Sequence, residues 1–235
     1  FCNALFCLIE LGSWELAERK LKLVDTAAPP FDLIKIAIQA HSLLDAATEE
    51  FLKLSPPETI DKGVERLLLH LIELSLDADQ TARVYALIRH TASWKLSPEA
   101  HLRLQCSEIW AHLLDKDWTA AGEILHSFPI EFLSQETSSL HFLYGCWLYM
   151  TEGKEIAYIH FSGVLDVAYP RTWTLLSHYL KNHMDEESGW FKKAFMWEKR
   201  QLYRQLHLFY HCTGDEEKSR RFQQLAKQES IHADE

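Results

Sequence analysis

Two histidines stand four residues apart in His207-Leu-Phe-Tyr-His211. On a helix that spacing puts both imidazoles on one face, where they could chelate a zinc ion. Cys212 follows directly, but it points roughly 100° away around the helix. The glutamate of the H-E-x-x-H hydrolase motif is absent. Histidine is abundant here, with 13 copies, so packing and surface positions explain the pair more simply. No metal site and no cofactor are expected.

The other reactive residue types are dispersed. Carboxylates cluster at Asp185-Glu186-Glu187, Glu216-Glu217 and Glu49-Glu50. General acid–base catalysis needs one carboxyl in an apolar site that raises its pKa. These clusters fall in turns or first helical turns, where solvent and the helix dipole keep them ionised. Cys106 and Cys146 sit among apolar helix residues with no local cation, a setting that leaves a thiol inert. The chain has no G-x-S-x-G, no phosphate-cradling glycine loop and no kinase loop motif. Trp190–Arg204, WFKKAFMWEKRQLYR, interleaves aromatic and basic residues. Such a stretch suits an amphipathic helix whose aromatics fill a core while its cations reach solvent, then a protein interface, and least of all base stacking or a membrane surface.

The elements that carry these residues read as helices throughout. Gly and Pro number only 8 and 7 in 235 residues, too few for the turns of an all-β fold. Apolar residues recur at helical spacing, as at Val64, Leu67, Leu68, Leu71 and Leu74. Ser13, Asp117 and Asp215 stand where N-caps belong, Ser97-Pro98-Glu99 starts a helix, and Ser55-Pro56-Pro57-Glu58 matches a capping box. About thirteen helices with short connections are expected, including Arg171–Asn182 and one or two over Gly189–Cys212. Short connections make neighbouring helices antiparallel.

The formal net charge of -10 falls almost wholly in residues 1–140. An acidic surface repels phosphate backbones and anionic lipid, so no nucleic-acid or membrane-surface role is expected. No apolar run is long enough to span a bilayer. Five cysteines without a C-x-x-C fit a reduced, cytoplasmic compartment. Phe1 opens in mid-pattern without a cap, so a piece of a longer protein is expected.

Four turn-and-helix segments look alike: LGSWELAERKLKLV (11–24), DKDWTAAGEILHSF (115–128), TEGKEIAYIHFSGVL (151–165) and TGDEEKSRRFQQLA (213–226). After each tight turn comes a small residue, Ala17, Ala121, Ala157 or Ser219. A larger one follows four later: Leu21, Leu125, Phe161 or Gln223. A small residue lets two helix backbones approach closely, and the residue one turn on fills the neighbouring groove. This pattern resembles the tetratricopeptide repeat (TPR), an antiparallel helix pair of about 34 residues. Gly145, Ala157 and Phe161 fall at the repeat's Gly, Ala and Phe positions, and Pro170 comes one residue late. In the last unit Tyr203, Leu206, Tyr210 and Ala226 match, whereas His207 replaces the Gly and Gln223 the Phe. Residues 31–91 show helix pairs without the signature.

The resemblance implies an all-α fold of antiparallel helix pairs stacked as a TPR-like right-handed α-solenoid. It would be one domain over 1–235, with a weak subdivision near 127–138. It also implies a non-catalytic module that holds a peptide or partner helix in a groove lined by the first helix of each pair. The groove positions are then Phe142, Cys146, Tyr149, Arg204, Leu208 and His211, and an acidic or amphipathic partner suits them. A second reading makes the chain a regulatory or sensor region of a larger signalling protein, such as a bacterial serine/threonine protein kinase. A third, an all-α metal protein or enzyme using His207 and His211, has the least behind it.

Overall fold

The computed structural model describes residues 2–10, 13–23, 29–56, 62–128, 138–164 and 196–231. Among them are twelve helices and no strand. They are α1 (Cys2–Glu10), α2 (Trp14–Leu21), α3 (Pro29–Ala40), α4 (Leu44–Leu52), α5 (Lys62–Asp77) and α6 (Thr81–Thr91). Then come α7 (Pro98–Leu114), α8 (Trp118–His126), α9 (Ser138–Thr151), α10 (Lys154–Val164), α11 (Met196–Thr213) and α12 (Glu216–Ile231). The expected helix at Arg171–Asn182, the capping box completed by Glu58 and the stop at Pro170 lie outside the described residues. None of the described helices is long and apolar enough to cross a membrane.

Contacts gather the chain into two compact units, Phe1–Ala111 with Ile231–Glu235, and His112–Ser230. The division falls inside α7. Most of the polar stretch 127–138 lies outside the described residues.

One backbone device recurs at five helix junctions. The amide of the residue that opens the second helix donates to the carbonyl five residues back: Ser13 to Leu8 (2.8 Å), Gln80 to Ser75 (2.8 Å), Asp117 to His112 (2.9 Å), Gly153 to Leu148 (3.0 Å) and Asp215 to Tyr210 (3.0 Å). The bond satisfies a carbonyl that the ending helix leaves orphaned. It requires a left-handed residue in the turn. Gly214, Asp79 and Lys116 meet that need just before the donor, at φ 80°, 55° and 59°, whereas Gly153, at 97°, is itself the donor.

Four residues further on, an amide donates back to the opening residue: Ala17 to Ser13, Val84 to Gln80, Ala121 to Asp117, Ala157 to Gly153 and Ser219 to Asp215. Ala47 bonds Leu43 in the same way. All six of these residues are buried. Twelve residues before five of them, on the preceding helix, stand Leu5, Ile72, Ile109, Gly145 and His207, and these are buried too. The pair at 72 and 84 lies in the region where the sequence shows no repeat signature.

The first unit is built around α5, which packs on α1, α3, α4 and α6. Leu67, Leu68, Leu71 and Ile72 of α5 meet a core with Leu5, Ile9, Ile34, Phe51 and Leu87. Each such side chain stabilises the fold by about 1.5–3 kcal/mol through removal from water. Polar ties fix the approach of the helices. The Glu65 carboxylate accepts from Ser97 N (2.5 Å) and Ser97 Oγ (2.9 Å), while Ser97 Oγ accepts from Ala100 N (3.2 Å) and caps α7. His90 Nε2 donates to Leu54 O (3.1 Å), and Arg83 pairs with Asp45.

In the second unit, α9 packs on α8, α10 and α11. Asp117 and Asp215 cap α8 and α12 as expected, accepting from Ala120 N (3.1 Å) and Lys218 N (3.2 Å). Ser13 does not behave as expected: it opens α2, but its side chain makes no capping bond. Gly122 of α8 faces Trp147 of α9 so closely that a Cβ there would stand 3.0 Å from the indole nitrogen. That nitrogen donates to Trp118 O at 2.8 Å, which fixes the ring against α8.

Candidate functional site

The residues expected to line a groove lie on α9 and α11, which pack together in the second unit. Spacings of four and three place Phe142, Cys146 and Tyr149 in one stripe of α9, and Arg204, Leu208 and His211 in one stripe of α11. The structure divides each stripe. Phe142, Cys146 and Leu208 are fully enclosed. They serve the core between the helices, whereas the groove expectation gave them a partner to touch. Stripe spacing identifies a face, but only the packing of neighbours decides whether that face is covered.

Tyr149, Arg204 and His211 are half-buried and keep some access to solvent. The Tyr149 ring meets the edge of Phe209 of α11, with centroids 5.3 Å apart and planes at 71°. Arg204 Nη1 reaches Gln201 Oε1 at 3.4 Å. His211 Nε2 donates to Leu114 O at 2.8 Å, one of the last carbonyls of α7. A planar aromatic, a guanidinium and an imidazole of this kind can bind an anionic or amphipathic segment. Nothing in the arrangement resembles a nucleophile beside a base.

The two imidazoles of His207-x-x-x-His211 serve different helices. His207 Nδ1 lies 3.1 Å from Ser219 O and 2.9 Å from Ser219 Oγ. The carbonyl can only accept, so Nδ1 carries the proton, and Ser219 Oγ in turn donates to His207 O at 3.3 Å. A ring nitrogen that donates to a carbonyl has no lone pair for a metal, which leaves Nε2 of His207 and Nδ1 of His211 as the acceptor nitrogens. The ring centroids are 6.2 Å apart. Among the described residues, no group of three or more His, Cys, Asp or Glu is placed to hold a metal ion.

Burial holds the thiols of Cys106, Cys146 and Cys212 protonated. Burial pushes Cys212 up to about 12 and Cys106 up to about 11. Cys146 is raised well above the ordinary thiol value by burial first and by its neighbour Cys212 second. A thiolate nucleophile requires the opposite environment. Glu49, Glu50, Glu216 and Glu217 are exposed, in keeping with solvation rather than acid–base work. Residues 190–195 of the aromatic and basic stretch lie outside the described residues. From the rest of it, Tyr203 is buried against Phe222, with ring centroids 5.9 Å apart.

Reading the sequence alone missed a second cluster of rings. His126, Trp147, Tyr144, His160 and His141 run across α8, α9 and α10, successive centroids lying 5.1, 5.6, 5.1 and 5.6 Å apart. His160 Nε2 donates to His141 O at 3.0 Å. Burial, the largest influence, lowers the pKa of His160. The signal available in the sequence was Gly122, a glycine in mid-helix that makes room for a large ring on the next helix.

No family model matches the chain, and no solved structure matches it. Curated relatives do. The serine/threonine-protein kinase PknD of Protochlamydia amoebophila (strain UWE25) is 44% identical over 238 residues, covering 99% of this chain and 24% of the relative. The protein of the same name from Chlamydia caviae is 28% identical over 172 residues, 68% of this chain and 18% of the relative. That from Chlamydia abortus is 33% identical over 147 residues, 61% of this chain and 14% of the relative. The chain thus spans about a quarter or less of the length of the curated relatives it matches.

Proposed function

We propose that this chain is a non-catalytic, TPR-like protein-interaction region of a larger serine/threonine protein kinase. Its role is to bind a peptide or partner helix on the face bearing Tyr149, Arg204 and His211. The repeated junction carries the reading: five helix pairs close with one backbone bond and place a small or compact buried residue four positions later. That is the local grammar of a helical repeat, and stacking such pairs as a right-handed α-solenoid belongs to the proposal. Relatives named as serine/threonine kinases, of which this chain is a minor part, support the parentage. Absence of a phosphate cradle from the sequence supports a non-catalytic role for this part. Free cysteines at Cys7, Cys106, Cys146 and Cys212 fit a reduced, cytoplasmic setting.

The test presents arrayed acidic and amphipathic peptides to the chain and to a Tyr149→Ala/Arg204→Glu double variant whose circular dichroism matches the parent. The expected result is binding by the parent chain and at least a tenfold loss in the variant. Equal binding by both removes the groove assignment. Transfer of phosphate from ATP by the chain alone overturns the non-catalytic reading.

A further inference from the structure

We draw no further inference here: the strongest candidate, the exposed apolar face of α10 at Ile156 (44% exposed) and Ile159 (64% exposed) beside the ring cluster of α8 and α9, carries nothing because those rings already stack on one another and nothing in the structure shows what covers the isoleucines.

Discussion

His207 and Ser219 stand twelve residues apart and hydrogen-bond across the contact between α11 and α12, Nδ1 to O at 3.1 Å and Nδ1 to Oγ at 2.9 Å. Elsewhere in the second unit the same two positions hold Gly145 and Ala157, and in the first unit Leu5 with Ala17 and Ile72 with Val84. The departures at His207 and Ser219 are therefore each other's partners. Each alone would keep a main-chain partner, since His207 Nδ1 donates to Ser219 O and Ser219 Oγ to His207 O, so the side chain left by a single substitution loses only its contact with the other side chain. A double-mutant cycle with His207→Phe and Ser219→Ala, read by urea denaturation, should give a coupling of about 1 kcal/mol. Additive single effects would mean that the bond contributes nothing.

Gly122 tests the fit between α8 and α9. Glycine to alanine inside a helix normally stabilises, by about 0.5–1 kcal/mol. Here the new methyl would meet the Trp147 indole at 3.0 Å, so Gly122→Ala should instead destabilise by about 1–3 kcal/mol. The loss should shrink in a Trp147→Phe background, which removes the crowding nitrogen. A higher melting temperature for Gly122→Ala in the parent chain would contradict the contact.

Acid should weaken the second unit through His160. Its folded pKa lies below the free value, chiefly because of burial. Above the free value both states are neutral and nothing is lost. As pH falls through that value, the unfolded chain binds a proton that the folded chain resists, so stability declines until the folded pKa is reached. The melting temperature should drop between pH 7 and pH 5. His160→Gln keeps a donor for His141 O, and in it the drop should be smaller. An identical pH profile for the two proteins would show that His160 does not contribute.

Thiol labelling should separate the cysteines. Cys7 is exposed, whereas Cys146 and Cys212 are buried and held protonated. A maleimide followed by peptide mass spectrometry should modify Cys7 in the native protein within minutes. Cys146 and Cys212 should react only in denaturant. Native labelling of Cys146 at the rate of Cys7 would contradict the packing of α9 on α11.

Core truncation sets the scale for the first unit. Leu71→Ala removes a side chain enclosed by α5 and its neighbours, and should cost about 2–5 kcal/mol. Leu43→Ala, at a side chain 58% exposed, should change stability by less than about 0.5 kcal/mol. Similar losses for both would contradict the assignment of the core, and chemical denaturation distinguishes the outcomes.

Much of the helical pattern was legible because caps and small contact residues are chemically specific. Asp117 and Asp215 accept amide protons where their positions suggested, and Ala17, Ala121, Ala157 and Ser219 are buried where the turn pattern placed them. The unit at 75–84 was not legible. Its turn uses Asp79 in the left-handed region instead of glycine, and Val84 stands where the other units place Ala or Ser. The candidate site was half legible. Spacing places Arg204, Leu208 and His211 on one stripe, but it carries no record of which neighbour lies against Leu208. The tie from His211 to Leu114 crosses 97 residues of sequence, a distance over which no local pattern points.

The junction bond has a consequence for how such chains diverge. It is made by main-chain atoms alone, and Lys116 and Asp79 hold the left-handed position that Gly214 holds elsewhere. The unit is thus inscribed in the backbone, and its side-chain spelling is free to drift. Two units can share a geometry while retaining almost no common letters. Searches for kindred segments should then align amide-to-carbonyl register, five residues back and four residues forward, before they compare residue identities.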